Sequence, residues 1–134
     1  MTLDDYVDTF DLFDDWNQRY QYLTELGDEL PLLPEEIRTE DNRVKGCMSQ
    51  VWVSAYLKEN DLIGFHADCD TATVKGILAL LVDLMTDKSA AQVLETDLDD
   101  IFEKLSLDEH LSPNRHFGIY AIVELMKQQV SKLC

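Results

Sequence analysis

Apolar side chains at Val7, Phe10, Phe13, Trp16, Tyr20 and Leu23 recur in steps of three and four. That spacing lines one face of an α-helix and predicts a helix from Val7 to Leu26, with Gly27 as its terminator. Leu30-Pro31-Leu32-Leu33-Pro34 interrupts regular structure, and Pro34-Glu35-Glu36 suits the first turn of a short helix ending near Arg38. After a polar connection from Thr39 to Arg43, Val51 to Leu57 is rich in β-branched and aromatic residues and alternates in part. Glu59-Asn60-Asp61 separates it from a second such run, Leu62 to Ala67, so the pair reads as an antiparallel hairpin. Val44 is the candidate for a third, short strand on the far side of Gly46-Cys47.

From Ala72 to Met85 the chain is apolar nearly all round, as in a buried helix, with Asp70 or Thr71 available as cap. Ser89-Ala90-Ala91-Gln92 has the pattern of a capping box, and Leu98, Ile101, Phe102 and Leu105 mark a short helix after Asp97. Ser112-Pro113 opens the last helix, with Ile119, Ile122, Val123, Met126, Val130 and Leu133 on one face. Strands grouped together, with helices on either side in sequence, give an α+β class: a small antiparallel sheet packed against several helices. A length of 134 residues with 46% hydrophobic content suits a single domain, 1–134.

Charge narrows the partners. With 27 acidic and 11 basic side chains the formal net charge is −16, which repels phosphate backbones and anionic lipid. Neither nucleic acid nor membrane is expected as a partner. No run approaches the roughly 18 consecutive apolar residues of a membrane span, so a soluble cytoplasmic protein is expected. Cys47, Cys69 and Cys134 form neither a CxxC pair nor an even disulfide framework, which fits a reducing compartment.

Cys47 is the first candidate for chemistry. It lies between an extended run and the hairpin, in Arg43-Val44-Lys45-Gly46-Cys47-Met48-Ser49-Gln50. Gly46 allows an unusual backbone angle that presents the sulfur on a tight loop, and Lys45 and Arg43 are close enough in sequence to favour a thiolate. Spacing alone leaves a buried, inert cysteine equally open. Arg115 breaks a local rule, because a cation in the first turn of a helix opposes the helix dipole. It asks for an anion, either a surface carboxylate or a thiolate. His110 and His116 flank it as weaker candidates. Cys69, between Asp68 and Asp70, is disfavoured as a nucleophile by the two carboxylates.

The segment around Cys47 resembles the SufE/CsdE family, whose acceptor-cysteine motif reads much like V-x-G-C-x-S-x-V-W and is matched here from Val44 to Trp52. Three further segments agree in order: Trp16 and Tyr20 with Glu25-Leu26-Gly27 and Leu30-Pro31, Ala67 to Gly76, and His110-Leu111-Ser112-Pro113-Asn114-Arg115. Met48, Cys69 and His116-Phe117 depart from the family's usual residues. The resemblance implies a SufE/IscU-like fold. It also implies a sulfur acceptor that takes persulfide sulfur from a cysteine desulfurase onto Cys47 and passes it to a downstream scaffold for iron-sulfur cluster assembly. On that reading Arg115 steadies the sulfur anion and His110 supports it. The pyridoxal phosphate belongs to the partner desulfurase, and this chain needs no cofactor and no metal of its own. The chain is then a partner and activator of the desulfurase rather than a self-sufficient enzyme, and a homodimer stays open. The rivals are an iron-sulfur or metal-binding scaffold of IscU-like fold, an interaction protein without covalent chemistry, and a thiol redox protein using Cys47 and Cys69.

Overall fold

The computed structural model describes residues 1–46 and 49–133. Cys47, Met48 and Cys134 lie outside the described residues. Two helices open the chain, α1 (Leu3–Asp11) and α2 (Trp16–Asp28), where the apolar spacing predicts one. The difference lies in capping. Thr2 and Asp5 form a reciprocal capping box at the start of α1, and the Asp15 carboxylate accepts a hydrogen bond from the Gln18 amide to start α2 afresh. Gly27 therefore lies inside α2 rather than beyond its end.

Short 3-10 turns at Glu35–Ile37 and Glu40–Asn42 lead into the sheet. Strand β1 (Val51–Leu57) pairs antiparallel with β2 (Leu62–Cys69), in a register that sets Val51 opposite Cys69 and Trp52 opposite Asp68. The connection turns through Asn60 and Asp61, with φ of 61° and 59°, residue types that tolerate left-handed backbone better than most. The third strand is β3 (Lys88–Ser89), on the other side of β2, so the order is β1-β2-β3. Val44 contributes less than a strand: Arg43 makes an isolated bridge to Trp52, and the Val44 amide donates to the Val51 carbonyl.

Helix α3 (Ala72–Met85) packs against α2 and β2. The α2–α3 approach is close enough to require glycine, since a Cβ on Gly76 would fall 2.1 Å from the Leu23 carbonyl oxygen. After β3 come α4 (Ala90–Leu94), α5 (Leu98–Lys104) and α6 (Pro113–Leu133), which lies along β1. The Ser89–Gln92 capping box forms as its pattern predicts. Buried side chains from the helices and both long strands form one continuous apolar core. Gln129 of α6 reaches the outer edge of β1, where its side-chain oxygen accepts from the Ala55 amide and its nitrogen donates to the Val53 carbonyl, both at 2.8 Å. The architecture is α+β, and among the described residues no helix is long and apolar enough to cross a membrane.

Candidate functional site

Two helix N-termini and the segment following Cys47 meet at one cleft of about 400 Å3. Ser49 supplies one wall, Asp70, Thr71 and Val74 the turn from β2 into α3, and Ser112, Asn114 and Arg115 the start of α6. The antiparallel register explains the meeting. Val51 and Cys69 are paired, so the residues before the first and after the second are neighbours, and Asp70 and Gln50 extend the ladder. The Asp70 amide donates to the Gln50 carbonyl at 3.1 Å, and the Gln50 amide donates to the Asp70 carboxylate at 3.0 Å.

Ser49 and Thr71 close the contact, with their hydroxyl oxygens 2.6 Å apart. Thr71 occupies the N-cap position of α3, but its hydroxyl faces Ser49 and Asp70 and makes no capping bond. The first-turn amides of α3 thus keep their partial positive charge toward the cleft. At α6 the Ser112 hydroxyl accepts from the Arg115 amide. The Arg115 side chain is exposed and, among the described residues, pairs with no carboxylate, although the chain carries 27 of them. The carboxylate alternative for Arg115 therefore lacks a contact.

Cys69 ends β2, buried at 5% exposure. The Thr71 amide donates to its sulfur at 3.4 Å. His110 is not among the residues lining the cleft: its ring stacks on Trp16 with centroids 3.8 Å apart, and its carbonyl accepts from the Tyr20 hydroxyl at 2.6 Å. His116 stacks on Phe102. The cations near Cys47 in sequence are engaged locally, Lys45 with Glu40 at 2.6 Å and Arg43 with Glu40 at 3.5 Å. Gly46 has a φ of 85°, the left-handed backbone that its type predicts. Cys47 itself, the candidate acceptor, lies outside the described residues.

A clamp that the sequence did not reveal holds the strands leading to the cleft. The Arg38 guanidinium sits 4.8 Å from the Trp52 ring centroid and bonds Asp68 at 2.5 Å, while Lys75 of α3 adds a second charge at 3.5 Å. Partial burial alone would raise the Asp68 carboxyl, but the bonds from Arg38 and the Cys69 amide, with the Lys75 charge, outweigh it and hold the group below the usual carboxylate range. Among the described residues no three His, Cys, Asp or Glu side chains converge to hold a metal ion.

A small α+β domain with its presented cleft at one end of the sheet is the class that fold and site define. The chain matches the SufE family, described as an Fe-S metabolism associated domain, over residues 4–130. A SufE-like protein of Rhizobium meliloti (strain 1021) is 37% identical over 131 residues, covering 96% of this chain and 94% of the relative. A SufE-like protein of Rhizobium etli is equally similar over 131 residues, with 88% of the relative covered. A hypothetical protein from Thermus thermophilus, solved in solution, superposes with a TM-score of 0.79 at 25% identity, over 98% of this chain and 94% of that one. This chain belongs to the SufE family, and that membership ties it to iron-sulfur metabolism.

Proposed function

We propose that this chain is a sulfur acceptor, in which Cys47 receives persulfide sulfur from a cysteine desulfurase and delivers it for iron-sulfur cluster assembly. The Cys47 thiolate attacks the terminal sulfur of the donor's cysteine persulfide. A new sulfur–sulfur bond forms on Cys47, the donor's own bond breaks, and the donor cysteine leaves as a thiolate, with no net oxidation or reduction. Delivery to a scaffold repeats the exchange in the other direction. The pyridoxal phosphate that generates the persulfide belongs to the donor, and the reducing cytoplasm suits the exchange.

One observation carries this reading: Ser49, two residues after Cys47, lines a cleft with Arg115 and the uncapped start of α3. A guanidinium with no carboxylate partner among the described residues, and first-turn amides that the Thr71 side chain does not cap, favour a sulfur anion there over a neutral thiol. Arg115 is assigned the steadying role, and His110 acts only by holding the start of α6 through its stack on Trp16.

Intact-mass measurement after incubation with a cysteine desulfurase and cysteine tests the proposal. Wild type should gain one sulfur atom and Cys47→Ser none. Wild type that gains no sulfur but purifies with stoichiometric metal would establish the scaffold instead, and a reversible Cys47–Cys69 disulfide in place of a persulfide would establish a redox protein.

A further inference from the structure

Phe117 is 69% exposed and Tyr120 40% exposed on a helix whose opposite side is fully buried. With Asn114, Ala121 and Glu124 they fall within one stripe of α6, because steps of three and four return to the same face. The stripe joins the two sides of the cysteine segment. Asn114 lines the cleft with Ser49, and a methyl built on Gly46 would lie 3.8 Å from the Cβ of Ala121. Phe117 lies between those two points, three residues after Asn114 and four before Ala121.

On the α5 side the surroundings of this aromatic pair are acidic, while on the other side Ala121 and Glu124 border a groove that holds Arg43, Lys45 and Lys132 with Glu40 and Asp41. Tyr120 hydrogen-bonds Asp99 of α5, Glu124 follows one turn later, and Glu95 and Asp97 line the adjoining groove. On the α5 side Lys127, the one cation among the described residues lining the groove, donates to the Thr96 carbonyl at 2.6 Å. An exposed aromatic anchor edged by carboxylates on its α5 side fits an apolar depression that carries lysine or arginine on the matching side.

We propose that the Phe117–Tyr120 face of α6 is the surface by which this chain selects its sulfur donor, a desulfurase presenting an apolar pocket with one basic edge. The inference rests on the sulfur-acceptor reading and names the contact that brings the donor to Cys47. Phe117 enters the donor's pocket, and the carboxylates set orientation and speed of encounter. Its place on α6 between Asn114, which lines the cleft with Ser49, and Ala121, which faces Gly46, couples docking to sulfur transfer.

The test uses the desulfurase that loads wild type with sulfur, and compares Phe117→Ala and Glu124→Lys by calorimetric Kd and by transfer rate. Each variant should weaken binding about tenfold or more, with the Glu124→Lys loss shrinking in high salt. Loading of Cys47 by free cysteine persulfide should be unchanged in both. Donor affinity and transfer equal to wild type overturn the inference while leaving the acceptor reading intact, as does a loss shared by free-persulfide loading. So does a Phe117→Ala variant that breaks up a dimer of this chain without altering donor affinity. Failure of wild type to accept sulfur from any desulfurase overturns both.

Discussion

The Ser49 hydroxyl and the Thr71 hydroxyl, 22 residues apart in sequence, lie 2.6 Å from each other and tie the segment after Cys47 to the start of α3. Thr71 gives up capping to make this bond, so the contact couples two properties: where the segment sits and how positive the cleft is. Ser49→Ala frees Thr71 to turn back toward its own helix. The variant is expected to lose about 1 kcal/mol of stability, measured by urea unfolding, and to exchange the Gln50 amide faster. Retained exchange protection at Gln50 would show that Asp70 alone holds the segment.

Arg115 has no carboxylate partner among the described residues of a chain dominated by carboxylates, so its removal should cost function rather than stability. Arg115→Ala is expected to leave the unfolding midpoint nearly unchanged and to slow sulfur transfer about tenfold to a hundredfold, with Arg115→Lys intermediate. Stopped-flow measurement of transfer from the desulfurase distinguishes the three proteins, and equal rates would remove Arg115 from the site.

Asp68 makes the clamp depend on pH. Its carboxyl is held below the usual range in the folded chain, so the stabilisation is fully present above the unfolded value of about 3.9 and is lost as pH falls through the lower, folded value. Arg38→Ala removes the bond at 2.5 Å and frees the Trp52 face. It should cost about 1–2 kcal/mol at neutral pH and progressively less in acid. Thermal unfolding of both proteins between neutral and acid pH would show the two curves converging; a constant gap would assign the loss to packing on Trp52.

Gly76 sets how near α2 and α3 can come. Gly76→Ala places a methyl 2.1 Å from the Leu23 carbonyl oxygen and should destabilise by about 3 kcal/mol, because backbone must move. Gly27→Ala, whose nearest backbone atom would be 3.0 Å away, should cost distinctly less. Chemical denaturation of both variants checks the order.

The hairpin and the long final helix were legible because their apolar periods are strong and their boundaries carry turn or cap residues, Asn60-Asp61 and Ser112-Pro113. The break between α1 and α2 was not, because the apolar steps continue in phase from Phe10 through Phe13 to Trp16, and Asp15 is one cap among many acids. Strand β3 has two residues, too few to show a period. At the site, the rule that Arg115 breaks is local and could be read, and so could the need for glycine at position 46. Sequence could not show that Glu40 lies near both Lys45 and Arg43, because that pairing depends on the 3-10 turn that brings Glu40 back toward them. The Ser49–Thr71 bond and the Arg38–Trp52–Asp68 clamp depend on strand register, which emerges only when the chain is folded.

Gln129 has a consequence beyond its own helix. By occupying the amide of Ala55 and the carbonyl of Val53 it does at the rim of β1 what a neighbouring strand would do. A rim occupied in this way offers little template for another polypeptide to zip onto. At that rim another protein meets side chains rather than open backbone, and contact there need not grow into a shared sheet.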